Sequence, residues 1–268
     1  MEDNDGRIIM SEYLTELFGL KGKVAAVAGG AGFLCGEMAV ALAKAGVKVM
    51  VLDKNEDDPR KVMDRIVSNG GEASSFVLDV VDKNSQERAL VEILDKYGDI
   101  HILINGAGIN APTPFLDISL DEWNKIVGVN LTGTMLGCQV FGKYMVSRQK
   151  GSIINISSAS AGPPLSKAFT YSVTKAGIRN LTQNLAREWA NSGVRVNALR
   201  PGFFPTEWSK KHFIDPEREK AILGHTAMKR YGRPDELVGA VLWLASEAAS
   251  FVTGAEITVD GGFTAMTI

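Results

Sequence analysis

Cysteine is scarce: the 268 residues include two, Cys35 and Cys138. Two thiols cannot build a disulfide framework, and neither sits in a metal-ligand spacing. Both are expected to be reduced and in or near the core, and no metal site is expected. Long apolar runs are missing too. None reaches the ~20 residues that a bilayer-spanning helix needs. Charge of one sign is not in excess: 29 Lys and Arg stand against 31 Asp and Glu, a net charge of −2, with the signs interspersed. That balance argues against nucleic acid or an anionic membrane as partner. There is no internal repeat and no low-complexity stretch. The first eleven residues are polar and acidic and have no apolar core of a secretion signal, so a cytoplasmic location is expected.

What is present reads as a soluble globular chain, 45% apolar and 22% charged, long enough for one large α/β domain. Residues 1–20 read as an adaptable lead-in, and residues 21–268 as a single domain. Short apolar runs at 24–28, 47–52, 74–78, 100–104, 152–156, 194–199 and 257–259 alternate with helical patterns at 36–45, 59–68, 83–97, 119–147, 171–191 and 234–246. Strands that are apolar throughout, separated by helices, predict a parallel sheet covered on both faces. With right-handed crossovers this is a doubly wound, Rossmann-type sheet of about seven strands. The stretch 203–233 breaks the rhythm with Pro205, Pro216 and mixed charge, and reads as a substrate lid with short helices.

In a doubly wound sheet, ligands bind beyond the carboxyl ends of the strands. The residues there are polar, glycine-rich or both: Gly29-Gly30, Asp53, Asp79, Asn105-Gly106, Ser157-Ser158 and Pro201-Gly202. The run from Ala28 to Gly36 is a glycine-rich turn between the first strand and first helix, where backbone can approach a pyrophosphate. Asp53 ends the second strand, 24 residues after Gly29. A carboxylate there accepts hydrogen bonds from a ribose diol and repels a 2′-phosphate, which favours NAD over NADP. Lys54 follows directly and would tolerate a phosphate.

Tyr171 and Lys175 stand four residues apart, on one face of a helix. Ser158 lies 13 residues before the tyrosine, just after a strand. A free tyrosine titrates near 10; a neighbouring ammonium is expected to favour its phenolate, and the serine hydroxyl to hold a substrate oxygen. Such a trio exchanges a proton with an alcohol while hydride leaves or reaches its carbon.

Taken jointly, the glycine turn, Asn105-Gly106-Ala107-Gly108, Asn130, Ser157-Ser158, Tyr171 with Lys175, Pro201-Gly202 and Val259-Asp260-Gly261-Gly262 resemble the short-chain dehydrogenase/reductase family over roughly residues 20–263. The resemblance implies a catalytic set of Asn130, Ser158, Tyr171 and Lys175, with Asn130 shaping the long helix and holding a proton-relaying water. It implies a cofactor site at Gly29, Gly32, Phe33, Leu34, Asp53, Asp79, Val80, Asn105, Ala107, Tyr171, Lys175, Pro201, Gly202, Phe204 and Thr206. There Asp79 would lie by the adenine, Asn105 would shape the pocket, Lys175 would bond the nicotinamide ribose, and Thr206 would reach the carboxamide or pyrophosphate. It also implies a homotetramer. One departure stands out. The family's Thr-Gly-x-x-x-Gly-x-Gly places Ala28 at the threonine, Phe33 at the second glycine and Cys35 at the third.

The glycine turn, the run Arg200 to Thr206 and the C-terminal end resemble the sugar-acid branch, similar to fructuronate reductases (D-mannonate oxidoreductases) and gluconate 5-dehydrogenases. A polyhydroxy acid needs a cation and polar side chains. The candidates are Asn110, Ser158, Ser160, Lys167 and Tyr171, with Lys210, Lys211, His212 and His225 from the lid. Two other readings remain: a 3-oxoacyl-carrier-protein reductase, which usually prefers NADP, and a non-catalytic NAD sensor, which would be expected to lack Tyr171 or Lys175.

Overall fold

The computed structural model describes residues 12–266. Seven strands form one parallel sheet: β1 (Val24–Ala28), β2 (Lys48–Asp53), β3 (Ala73–Val77), β4 (Ile102–Asn105), β5 (Gly151–Ile156), β6 (Val194–Pro201) and β7 (Glu256–Val259). Their spatial order is β3-β2-β1-β4-β5-β6-β7, and every pairing is parallel. The fold expected from the alternating apolar runs is therefore the one found.

The two-residue period of a strand explains how one apolar run serves two cores. In β1, Ala25 and Val27 enter one core, while Val24, Ala26 and Ala28 enter the other. The first core is closed by α2 (Phe33–Lys44), α3 (Asp57–Ser68) and α10 (Val238–Ala245), through Met38, Leu42, Ile66, Val241 and Leu244. The second is closed by α4 (Lys83–Tyr97), α6 (Gly133–Ser147) and α7 (Phe169–Trp189), through Ala89, Ile93, Phe141, Met145 and Ala186. The chain reverses its direction of winding between β1 and β4, which opens a crevice at their carboxyl ends.

Several boundaries differ from the sequence reading. The pattern at 119–147, read as one helix, comprises α5 (Leu120–Val127), a π-helical turn (Gly128–Thr132) and α6. A π turn inserts an extra residue into the helical ladder, leaves the apolar period almost unchanged, and recurs at functional sites. α2 starts at Phe33 rather than 36, because Gly32 supplies the extended N-cap (φ −65°, ψ 153°). Within the lead-in, α1 (Glu12–Phe18) buries none of its residues, whereas Leu20 reaches the first core; residues 1–11 lie outside the described residues. The stretch 203–233 holds α8 (Glu207–Phe213) and α9 (Pro216–His225). Among the described residues, no helix is long and apolar enough to cross a membrane.

Cys35 is part of how the crevice closes. It lies on the first turn of α2, buried, with its thiol pushed up to about 12 by burial. A methyl at Gly106, just after β4, would stand 2.2 Å from its Sγ. The helix and the strand end thus fit because a sulfur faces a bare backbone. Gly106→Ala is expected to lower stability by about 1–3 kcal/mol, the usual cost of overpacking. In a Cys35→Ala background the same change should cost about 1 kcal/mol less. Urea denaturation of the four proteins checks this; equal costs in both backgrounds would contradict the packing described.

Candidate active site

β5 delivers Ser157 and Ser158 to the carboxyl end of the sheet, and α7 lies across that end. Thr174 and Lys175, within the second turn of α7, are buried. The Lys175 Nζ donates to the Ile156 carbonyl at 2.7 Å and lies 5.3 Å from the centre of the Tyr171 ring. Ser158 sits extended (φ −162°, ψ 156°) and its Oγ accepts from Ser160 N at 3.2 Å and Ser160 Oγ at 3.1 Å. Ser158 also acts on the Tyr171 phenol, opposing the rise that burial causes. Ser158, Ser160, Tyr171 and Lys175 therefore converge.

Electrostatics depart from the sequence expectation in one respect. Burial pushes the Tyr171 phenol above its ordinary value, and the bond from Ser158 only partly opposes this. Lys175 does not lower it here, because burial pulls the lysine itself down to about 8. Lys175 is removed from water and Tyr171 is half-buried, so each favours its neutral form.

The π turn carries Asn130, which is fully buried. Its Oδ1 accepts from Ile109 N at 2.8 Å, and its Nδ2 donates to Ile109 O at 3.0 Å and to Thr174 Oγ1 at 3.1 Å. Thr174 Oγ1 in turn donates to the Tyr171 carbonyl at 2.7 Å. One amide thus ties the loop after β4 to the helix bearing Tyr171. A methyl at Gly108 would lie 3.6 Å from Asn130 Oδ1 and 3.7 Å from Lys175 Nζ, so both groups face that glycine.

The glycine turn is shaped as a cradle. Gly29 has φ +71°, and a methyl on it would stand 2.6 Å from Ala107 N. Gly32 caps α2 without a side-chain hydrogen bond, and Phe33 and Leu34 form the first turn. Asp53 faces this turn: its Oδ2 accepts from Ala31 N at 3.1 Å and its Oδ1 from Lys54 N at 2.8 Å. A carboxylate has further acceptor capacity for a diol. Bare backbone, a helix N-terminus and a diol acceptor at a strand end together fit a dinucleotide.

Other expected residues have different partners. Asn105 points into the fold, donating to Asn155 Oδ1 at 2.9 Å and to Cys138 Sγ at 3.4 Å, so it braces β4 against β5 and α6. Asp79 pairs with Lys54 at the surface at 3.2 Å. Next to it, Val80 packs against Gly133 and the second core. Thr206 caps α8 by accepting from Ser209 N at 3.0 Å. Gly202 donates to Val259 O at 2.9 Å; a methyl on it would stand 2.6 Å from Asp260 Cα. Phe204 packs on Gly232 and the first core, next to the buried Pro201. Lys167, expected at the substrate, has a partner at the surface. It pairs with Asp215, the N-cap of α9, at 2.9 Å, while its carbonyl accepts from Asn110 Nδ2 at 3.1 Å. His225 stacks edge-on against Phe263, ring centres 4.9 Å apart. Lys211 is exposed.

A buried polar group beneath Ser158 was not foreseen. Ser157 Oγ donates to Glu256 Oε1 at 2.8 Å, Arg200 pairs with Glu256 at 3.3 Å, and Arg200 also donates to the Ala159 carbonyl at 3.0 Å. The available signal was charge inside two strands, Arg200 in β6, which also carries Arg195, and Glu256 in β7.

A glycine cradle at the β1–β4 crevice, with a serine, a tyrosine and a lysine converging beside it, defines a dinucleotide-type oxidoreductase site. The family profile described as enoyl-(acyl carrier protein) reductase matches residues 30–264. An uncharacterized oxidoreductase of Bacillus subtilis, UxuB, is 40% identical over 92% of this chain and 96% of its own. A solved gluconate 5-dehydrogenase of Burkholderia cenocepacia, in complex with NADP and tartrate, superposes with a TM-score of 0.90; it is 32% identical, with 96% of this chain and 100% of that one covered. A solved protein of Haemophilus influenza with bound NAD, described as a D-mannonate oxidoreductase, has a TM-score of 0.87 and 34% identity, covering 92% and 97%. The chain belongs to the short-chain dehydrogenase/reductase family, the oxidoreductases that act on alcohol groups.

The buried lysine has a consequence for stability. Lys175 titrates near 10.5 when unfolded and near 8 in the fold. Below pH 8 the fold carries the whole penalty of a buried ammonium. Between pH 8 and 10.5 the native state has shed a proton that the unfolded chain keeps, so stability rises with pH. Lys175→Met lacks this contribution. The stability difference, wild type minus variant, is therefore expected to rise from pH 8 to about 10 in urea titrations; a flat difference would contradict it.

Proposed function

We propose that the protein is an NAD-dependent dehydrogenase/reductase of the cytoplasm that interconverts a secondary alcohol and a ketone on a sugar acid or related polyol. D-Mannonate and D-fructuronate are the first pair to test, and gluconate oxidised at carbon 5 is the second. The observation that carries the reading is the convergence of Ser158, Tyr171 and Lys175 beside the glycine cradle.

In the reductive direction Tyr171 gives its proton to the oxygen of the nascent alcohol, and in oxidation it takes that proton back. Because burial raises the phenol, the group is held protonated, ready as an acid. Ser158 donates to the substrate oxygen, its orientation set by Ser160. Lys175 sits beneath the ring and, when charged, favours the phenolate that remains after proton transfer. Asn130 is a positioning residue: it holds the Ile109 backbone and Thr174 and so sets where Tyr171 stands. The nicotinamide, when bound, supplies or accepts the hydride. Gly29, Gly32, Phe33 and Leu34 would hold its pyrophosphate end, and Asp53 its adenosine ribose. NAD is favoured because the Asp53 carboxylate repels a 2′-phosphate.

The sugar-acid reading rests on likeness to the gluconate and mannonate enzymes and on polar groups around Tyr171. We propose 203–233 as a lid. Lys167–Asp215 and the bond from Arg218 to the Ser166 carbonyl, 2.6 Å, fasten it to the loop before α7. Closure would exclude water from the reacting carbon. An apolar groove of about 450 Å³ between α6 and α7, lined by Met135, Leu181, Leu185 and Trp189, supports a homotetramer.

Two outcomes test this. Tyr171→Phe should lower turnover by roughly 10²–10⁴-fold with dinucleotide affinity nearly intact; near wild-type turnover would remove Tyr171 from the chemistry. Asp53→Asn should narrow the preference for NAD over NADP, read as the ratio of kcat/KM values. Better use of NADP by the unmodified enzyme, or an unchanged ratio in the variant, would overturn the cofactor assignment.

A further inference from the structure

Parallel strands all enter the sheet from one side, so whatever precedes them gathers at the amino-terminal end. Here the gathered residues are basic. Lys23 precedes β1, His101 precedes β4, Lys150 precedes β5, and Arg195 is the second residue of β6. They line a cavity of about 220 Å³ together with Gln149, Gly151, Ser152, Gly193, Ala245 and Glu247. From Gly151 at this end to Ile156, whose carbonyl holds Lys175, β5 advances five residues, or about 17 Å at ~3.3 Å each. The cavity is thus a different place from the crevice described above.

Its charge is unbalanced. Glu247 is the one carboxylate in the lining. It pairs with Lys23 at 2.6 Å, and Lys150 and Arg195 also act on it; together they hold it below the usual carboxylate range. Arg195 spends its hydrogen bonds on the carbonyls of Leu244 (2.9 Å) and Ser246 (3.0 Å) at the end of α10, which satisfies its donors but leaves its charge. Among the described residues Lys150 has no carboxylate within 4 Å. His101 is neutral. Its Nδ1 accepts from Val24 N at 3.1 Å, and burial draws it down against the opposing pull of Asp99. Asp99, 3.7 Å from the His101 Nε2, is already met by Arg148 at 3.4 Å and by the Tyr144 hydroxyl at 3.0 Å. Three cations against one carboxylate leave the lining at +2.

The rim is built tightly. Gly193 has φ +67°, and a methyl on it would stand 2.2 Å from the Gln149 carbonyl. Gln149, though not glycine, has φ +53°. Left-handed backbone at a non-glycine residue is a strain that the surrounding structure must sustain.

We propose that this cavity binds a compact dianion of the phosphate type. Two uncompensated positive charges match two negative ones; the Lys150 and Gln149 side chains are the nitrogen donors such an oxyanion requires, and Arg195 adds its charge. The volume corresponds to about seven waters at ~30 Å³ each and is smaller than the ~300 Å³ at which pockets for drug-sized ligands begin. It suits a phosphate group with at most a small carbon skeleton, and not a nucleotide.

The test is a calorimetric titration of the whole protein with inorganic phosphate at constant ionic strength, with dinucleotide saturating so that the cofactor crevice is covered. Saturable binding is expected, weakened at least ~10-fold in Lys150→Glu, the loss of one charge-assisted contact. Lys150→Ala should fall between the two. A triose phosphate titrated in parallel assigns the source. Tighter binding than inorganic phosphate points to a phosphorylated metabolite, and equal or weaker binding to free phosphate. Heat that chloride reproduces at the same ionic strength, or equal affinity in wild type and Lys150→Glu, would overturn the proposal.

Discussion

The hydrogen bond from the Lys175 ammonium to the Ile156 carbonyl, 2.7 Å long, is the contact on which the site depends. It joins the helix that carries Tyr171 to the end of the strand that delivers Ser158, so it fixes the distance between the two hydroxyls. It is also nearly all that a buried lysine has in place of a counter-ion. A carboxylate beside it would raise its pKa and lock the charge. A carbonyl holds the ammonium in place and still lets burial draw its pKa down to about 8. The same dry surroundings raise the Tyr171 phenol. A proton donor that keeps its proton at neutral pH, above a lysine that loses its own just above neutrality, is a pair poised to exchange charge once a substrate oxygen and a cofactor change the balance.

Around that contact the fold adds rigidity in layers. Asn130 ties the loop after β4 to α7 through Thr174. Asn105, Asn155, Cys138 and Thr182 form a chain of buried hydrogen bonds that crosses from β4 and β5 to α6 and α7. Glu256, Arg200 and Ser157 do the same under the serine. Each of these polar groups would be costly alone in the interior, and, Arg200 Nε apart, each meets a neighbour belonging to a different element. By contrast the 203–233 segment is held at the surface, by the Lys167–Asp215 pair and by Arg218. Exposed contacts of this kind are worth little and exchange readily, which would suit the lid proposed for it.

Much of this was legible in the sequence. Continuously apolar strands announced the parallel sheet, because burial on both faces removes the polar alternation. Ser158, Tyr171 and Lys175 were legible because a strand end and a four-residue helical spacing place them without further information. Three features were not. The π turn at Gly128–Thr132 leaves the apolar period almost intact, so nothing in the pattern marks it, although Asn130 owes its position to it. The partner of Lys167 was not visible because it lies 48 residues away on a helix whose placement no local pattern sets. The effect of burial on Tyr171 escaped because spacing reveals that a lysine is near but not how far each group is withdrawn from water. Phe33 and Cys35, standing where the family has glycines, were visible as departures. Only the fold explains Cys35: its sulfur fills the space above Gly106.

The central claim is that this crevice performs alcohol–ketone chemistry with a nicotinamide dinucleotide on a sugar acid. Absorbance at 340 nm tests it most directly, with the purified protein, NAD or NADP, and a panel of six-carbon aldonates that includes D-mannonate and D-gluconate. The account predicts that absorbance grows with at least one aldonate and NAD, and more slowly with NADP. No growth with any aldonate, while neutral alcohols or hydroxyacyl thioesters reduce the dinucleotide, would contradict the sugar-acid reading. No growth with any alcohol would contradict the chemistry itself.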